Sequence, residues 1–525
     1  MNAAAAPQLE RRSVDLRAHF LLAGATGLCI ALAFLHPSLY VLAWFAFVPL
    51  LLALERASIR QAYVLGFVAG CVAQGLLTYW VAEFVTNLKG YGPLSSFAVA
   101  LLFWVYSAQL LALTAALYVW LRRRTTLHEL LLFPPILVLA YALFPSPLAA
   151  HLGESQSRFV AALQGVELIG VYGLDWMMCL VSTSVYVAFA HPPHRRHVIA
   201  IASAAALVIG WFAYGVVAMQ AWDLRVSAAP SLSVGIVQSN EPPSAAVPEP
   251  RLGYSYAYPP EMPLTAELAS AGAHIVIWPE TRFKGYFEHP YVRSAFEREL
   301  RALRAPLMFQ DAERIYANGT RREYNTAAFL VDGQLSGTYR KIKRIAFGEY
   351  IPLLDTLPGL DAWARGYFGD FFSAIAAGDT TAEFRTADAT FVPIICYETM
   401  FPRFVARARA SAPSAALLVA MSNDAWFGDT REPFQHLYAS VLRAVENRTT
   451  LIHVINGGPS GVIEPSGRLR FQADFRTAGG YLVEVPLAAA SRTFFNRYPY
   501  ALLGAFATLL AGAVLLAFAR PQRDS

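Results

Sequence analysis

Apolar positions run almost unbroken through the first part of the chain, at 20–35, 39–54, 61–82, 95–121, 130–146, 162–190 and 198–220, and return once at 500–519. Crossing a bilayer takes about 20 such residues in a helix. Several segments reach that length, while the first two are short and parted only by His36-Pro37-Ser38, as in a tight helical hairpin. Between 231 and 492 the pattern changes. Short β-branched runs (Leu232–Val237, His274–Trp278, Ala327–Val331, Phe391–Ile395, Leu417–Met421, Leu451–Ile455) alternate with helix-like stretches at Pro263–Ala271, Tyr291–Leu303 and Glu432–Glu446. Strands alternating with helices imply sheets covered by helices. The expected organisation is a bundle of about seven transmembrane helices over 1–230, an α/β domain over 231–492, and an eighth helix with a short tail over 493–525.

Composition agrees: of 525 residues, 56% are hydrophobic and only 15% charged, against about a quarter charged in a soluble protein. The net charge of +5 is spread along the chain with no basic stripe, which argues against nucleic acid as a partner. With eight spans, Arg11, Arg12, Arg17, Arg56, Arg60, Arg122, Arg123, Arg124, Arg195, Arg196, Arg520 and Arg523 all fall on one side, and only Lys89 and Arg158 in the short loops of the other. Positive residues near helix ends stay cytoplasmic. Both termini are therefore expected in the cytoplasm, with a retained first helix, and the α/β domain in the periplasm of a bacterial inner membrane. Glu167 and Asp175 are the main ionisable residues within the expected spans. Such residues would mark a path if the protein were a transporter or lipid binder rather than an enzyme.

Cys29, Cys71 and Cys179 lie in apolar runs, so Cys396 is the one thiol of the polar half. It ends the run Phe391-Val392-Pro393-Ile394-Ile395 and is followed by Tyr397-Glu398. Two further strand ends carry charge: Trp278-Pro279-Glu280, and the basic run Tyr339-Arg340-Lys341-Ile342-Lys343-Arg344 leading to Phe347-Gly348-Glu349-Tyr350. Alone, a Glu after Pro is ordinarily a surface turn residue and a basic run a solvated one. Together the types make sense: a carboxylate can take a thiol proton and return it, and an ammonium can steady a tetrahedral oxyanion. His436 and His453 read as structural, and no His/Cys cluster has zinc-like spacing, so neither a metal nor a cofactor is expected.

These residues resemble the Glu-Lys-Cys triad of the nitrilase (carbon-nitrogen hydrolase) superfamily, which implies an αββα sandwich. More narrowly, the chain resembles the apolipoprotein N-acyltransferase family. Further matches are Ser155-Gln156, Val237-Gln238-Ser239-Asn240, Tyr324-Asn325-Thr326 and Ser422-Asn423-Asp424-Ala425-Trp426-Phe427-Gly428. The resemblance implies Glu280 as general base, Lys341 rather than Lys343 as the triad lysine, and Cys396 as nucleophile. It implies Glu349 as a supporting carboxylate, and Asn325, Tyr397 and Glu398 as shaping residues. The implied reaction moves an acyl chain from a phospholipid, typically phosphatidylethanolamine, through a Cys396 thioester to the α-amine of a diacylglyceryl-cysteine apolipoprotein. A monomer is expected. Departures at Thr281-Arg282-Phe283-Lys284, at Ala346 and at Asn456-Gly457-Gly458-Pro459 leave two alternatives open. One is a membrane-tethered amidase that passes the acyl group to water, and the other a paralogue that acylates another amine.

Overall fold

A computed structural model describes residues 16–519 except 245–246, 282, 318–319, 351, 353–358, 360–374, 413–415 and 490–491. Arg11, Arg12, Arg520 and Arg523 of the topology argument, and Arg282, lie outside the described residues.

Among those residues, five helices are long and apolar enough to cross a membrane: Leu16–Leu35, Pro93–Arg124, Val171–Ala190, Arg195–Ala228 and Ala501–Ala519. The helices Ile59–Leu77 and Val81–Lys89 are together long and apolar enough as well, and are bent by 57° at the break between them. The remaining two apolar segments are shorter helical stretches, Tyr40–Leu54 and Glu129–Leu143, the latter carrying Pro134 and Pro135 in its interior. The segment expected as one span over 162–190 is broken at Gly170. That residue has φ +70°, and a Cβ there would lie 2.5 Å from the Phe495 ring. A short helix, Val166–Ile169, therefore precedes the span proper. Large apolar side chains such as Leu21, Leu102, Phe189, Ile209 and Leu515 stay exposed on the bundle, as a lipid-facing surface requires.

The arginine-bearing loops gather at one end. Arg122 donates to the carbonyls of Leu54 (2.7 Å) and Glu55 (2.5 Å), Arg123 to Ala57 (2.9 Å), and His128 meets His197 at 3.0 Å. Loops at the other end touch the α/β domain. Tyr79 OH accepts from the Arg431 amide, and Asn87 donates to the Trp426 carbonyl.

That domain begins with β1 (Ser231–Gln238) and contains two six-stranded sheets among the described residues. The first holds β1, β2 (Ile275–Ile277), β3 (Leu307–Ala317), β4 (Thr320–Val331), β5 (Gln334–Arg340) and β12 (Gly479–Pro486), in the order β12-β1-β2-β3-β4-β5. The second holds β6 (Phe384–Arg385), β7 (Thr390–Ile395), β8 (Ala416–Asn423), β9 (Leu451–Asn456), β10 (Gly461–Ile463) and β11 (Leu469–Gln472) in reverse order, β11 to β6. Val234, Ile236, Ile277 and Phe329 of one sheet pack against Phe391, Ile395, Val419 and Val454 of the other. Helices Glu261–Ser270 and Pro290–Leu303 cover the first sheet through Met262, Leu268, Phe296 and Leu300. Helices Pro402–Ser411 and Glu432–Asn447 cover the second, giving the αββα sandwich. This last helix layer shares one continuous core with the bundle: Leu437, Val441 and Leu442 belong to the same cluster as Leu163, Val171 and Phe495.

Pro393 sits inside β7 because its partner β6 pairs only with Thr390 and Phe391, which leaves that edge free of ladder bonds at Pro393. The parallel pairing of β7 with β8 carries Ile395 level with Met421, so Cys396 emerges beside the end of β8.

Candidate active site

Glu280, Lys341 and Cys396 follow β2, β5 and β7, two strands of one sheet and one of the other, and line a common cavity with Asn325, Glu349 and Asn423. Cys396 opens the 3-10 turn Cys396–Met400 with φ +53°. A non-glycine residue in the left-handed region is held there by its surroundings, and such strain concentrates at functional sites.

Each member is anchored. Glu280 accepts from Asn325 Nδ2 at 2.6 Å and from the Asn423 amide at 3.1 Å. Lys341 Nζ donates to Glu349 Oε1 at 2.8 Å, and Glu349 Oε2 accepts the Ile345 amide at 2.8 Å. The backbone of Lys341 is held too, its N–H on the Asn325 carbonyl at 2.8 Å and its C=O accepting from Gly378 at 2.8 Å. Glu398 is fully buried and accepts from Ile395, Ile342 and Lys343 amides (2.8, 2.7 and 3.0 Å) and from Tyr339 OH (2.8 Å). It thus ties the lysine loop to the strand that delivers Cys396. Tyr397 OH accepts from the Ala149 amide at 2.8 Å and donates to the Pro147 carbonyl at 3.0 Å, docking a loop of the bundle beside the thiol.

Burial pushes the Glu280 carboxyl above the usual range, a trend the nearby Lys341 ammonium opposes. Burial likewise raises the Cys396 thiol well above its ordinary value, again opposed by Lys341. For Lys341 burial disfavours the charge, but Cys396, Glu349 and Glu280 outweigh it and raise the ammonium's pKa. The resting arrangement is therefore a thiol, a firmly charged ammonium and a carboxyl of enhanced basicity. A base of that kind takes the proton as the sulfur attacks.

Cys396 also lines a second cavity of different character. Its wall comes mainly from the bundle, including the apolar Ile30, Phe34, Leu77, Leu110, Leu111 and Phe144, and Tyr397, Glu432 and His436 of the α/β domain also line it. The bent helix divides the two spaces. Trp80 lines the apolar one and Phe84 the polar one, and both rings pack on Phe427 at 5.0 Å.

The structure brings all seven expected site residues together around Cys396. Sequence reading missed Asn423, whose amide faces Glu280, although it lies inside the quoted Ser422–Gly428 motif. It also set aside His436, which meets Thr399 at the end of the Cys396 turn. Lys343, the rejected alternative lysine, stands over the Phe401 ring at 5.7 Å. Glu167 and Asp175 do not face a pathway: Glu167 pairs with Arg448 at 2.7 Å, and Asp175 with His151 at 3.0 Å and the Gly153 amide at 2.7 Å.

Residues 26–184 match the apolipoprotein N-acyltransferase N-terminal domain family, and residues 261–493 the carbon-nitrogen hydrolase family. Similar proteins include an apolipoprotein N-acyltransferase of Geobacter metallireducens, 30% identical over 538 residues that cover 96% of each chain. Another, from Pseudomonas putida, is 29% identical over 520 residues, covering 95% of this chain and 96% of its own. A solved amidase from Nesterenkonia sp. superposes with a TM-score of 0.35 at 18% identity, over 50% of this chain and 92% of that one.

Proposed function

Since the chain belongs to the apolipoprotein N-acyltransferase family, multi-pass bacterial membrane enzymes with lipoprotein and phospholipid substrates, we propose a two-step transfer through a Cys396 thioester, with Glu280 and Lys341 completing the triad. The observation that carries this reading is the position of Cys396 between two cavities, one apolar and walled by membrane helices, one polar and holding the triad.

In the first step the phospholipid's acyl chain lies in the apolar cavity and its ester carbonyl meets the sulfur. Glu280 takes the thiol proton as the C–S bond forms, and Lys341, aided by backbone N–H groups, stabilises the oxyanion. Collapse breaks the ester C–O bond, and Glu280 returns the proton to the lysophospholipid oxygen. In the second step the neutral α-amine of the diacylglyceryl-cysteine attacks the thioester. Glu280 takes a proton from that nitrogen and hands it to the departing sulfur, leaving an amide and a free thiol. Glu349 holds the lysine, Asn325 holds Glu280, and Glu398 and Tyr397 fix the turn. The donor we propose is phosphatidylethanolamine. Residues 231–492 are the catalytic domain on the periplasmic face, both termini are cytoplasmic, and the enzyme works as a monomer. The apolar cavity favours this over a tethered amidase, because a small amide needs no lipid-facing wall.

Mass spectrometry of the enzyme with phosphatidylethanolamine, followed by a diacylated lipopeptide, tests the scheme. An acyl adduct on Cys396 that moves to the peptide amine is expected. An adduct that passes only to water would favour the hydrolase, and absence of any adduct would remove the thioester.

A further inference from the structure

Beneath the nucleophile's turn lies a buried chain of polar groups that the transfer scheme does not use. Thr399, at the end of that turn, donates its hydroxyl to the Cys396 carbonyl at 3.1 Å and lies 2.7 Å from His436 Nε2. His436 Nδ1 faces both oxygens of Asp424, at 3.1 and 2.9 Å, and Asp424 accepts from Ser422 Oγ at 2.6 Å. All four groups are buried.

The bonding pattern accounts for the charge. With the Thr399 hydroxyl donated to the Cys396 oxygen, which can only accept, that hydroxyl has no proton left for the imidazole. The short Thr399–His436 contact is then a hydrogen bond only if Nε2 carries a proton, and Asp424 requires one on Nδ1 as well. We propose that His436, protonated on both nitrogens between Asp424 and Thr399, is a positioning residue that locks the left-handed Cys396 turn from the wall of the apolar cavity.

The groups around it agree. Burial lowers the His436 pKa, but Asp424 and the Cys396 carbonyl outweigh burial and raise it, and Glu280 adds in the same direction. His453, whose ring stands 5.2 Å away on β9, is pushed well below its ordinary value by burial and by His436, so it stays neutral. On the same helix, Arg443 reaches the Thr399 carbonyl at 3.3 Å, and burial raises the Glu432 carboxyl well above its usual range. Asp424 is thus the one anionic group bonded to the imidazole among the described residues.

The inference rests on Cys396 as nucleophile, and single-turnover acylation of the full-length enzyme by phosphatidylethanolamine vesicles, without acceptor, separates the two. The imidazolium is present below its pKa and lost above it, so wild-type acylation is expected to fall on an alkaline limb. His436→Gln keeps a hydrogen-bonding amide but no charge. It should acylate on the order of tenfold more slowly, below the 10²–10³ lost with a donor that touches the oxyanion itself, and without that limb. Wild-type rate, or an unchanged limb, in His436→Gln overturns the proposal, whereas failure of the wild type to acylate at Cys396 overturns the thioester scheme instead. Should His436→Gln not fold, Thr399→Val serves: losing the acceptor of Nε2–H disfavours the imidazolium, so the limb should move to lower pH. A limb that stays in place is the contrary result.

Discussion

At the scale of single residues, the site separates groups that sequence spacing leaves nearly equivalent. Lys341 and Lys343 are two apart, yet only the first ends on Glu349 within the triad cavity, while the second lies over Phe401. Lys341→Ala is expected to slow acylation about 10³-fold and Lys343→Ala to leave it nearly intact. Equal losses in the same single-turnover assay would reverse the register. In the proposed scheme Glu280 works as the carboxylate, so activity is expected above its pKa and is expected to disappear as pH falls through it. Because burial raises that pKa, the acid limb should set in above the ordinary carboxylate range. Asn325 donates to this carboxylate and so favours its charged form. Asn325→Leu should therefore move the acid limb to higher pH, and a limb that moves lower or not at all would show that another group sets it.

At the scale of elements, strand ends deliver chemistry and one buried carboxylate keeps them aligned. Glu398 bridges the lysine loop and the Cys396 strand through three backbone amides. In Glu398→Ala those donors lose their partner in a site closed to water, which costs about 3 kcal/mol and should lower Tm and acylation together. Loss of activity with unchanged Tm would point to direct contact with substrate. The strands legible in the sequence were β1, β2, β7, β8 and β9, each largely buried and an apolar run, and of β4 only its apolar end, Ala327–Val331. The rest were not, for reasons of surface and pairing: β5 and β11 are largely exposed and polar, and β6 has only two residues. The break at Gly170 was equally hidden, since its cause is the Phe495 ring from a segment more than 300 residues away. Of the site, the strand ends at Glu280, Lys341 and Cys396 were legible as candidates, and their grouping as a triad came from the family resemblance. The His436–Thr399–Cys396 path was not, since it exists only once helix Glu432–Asn447 lies over β7 and β8.

At the scale of the molecule, bundle and sandwich are fused rather than strung together. Buried Arg448 donates to the Gln164 side chain at 2.7 Å and to Glu167 at 2.7 Å, stands 5.2 Å from the Trp222 ring, and reaches the Pro465 carbonyl at 2.9 Å. Glu446 accepts the Val171 amide at 2.8 Å, at the start of a membrane span. The bundle also supplies most of the wall of the apolar cavity at Cys396, so in the proposed scheme the α/β domain without it has an open acyl site. Excising residues 231–492 would uncover Leu437, Val441 and Leu442, now packed against the bundle. It would also deprive the Arg448 guanidinium of Gln164 and Glu167. The excised domain is therefore expected to aggregate on size-exclusion chromatography and to form no acyl adduct with vesicle phospholipid. A soluble, monodisperse domain that still acylates Cys396 would mean that the membrane helices serve as an anchor alone. The milder variant Arg448→Met leaves the bundle in place and should loosen only the seam. It should speed hydrogen exchange in the Val166–Ile169 helix ahead of the sandwich core, because Glu167 is left with Tyr214 alone while β7 and β8 keep their pairing.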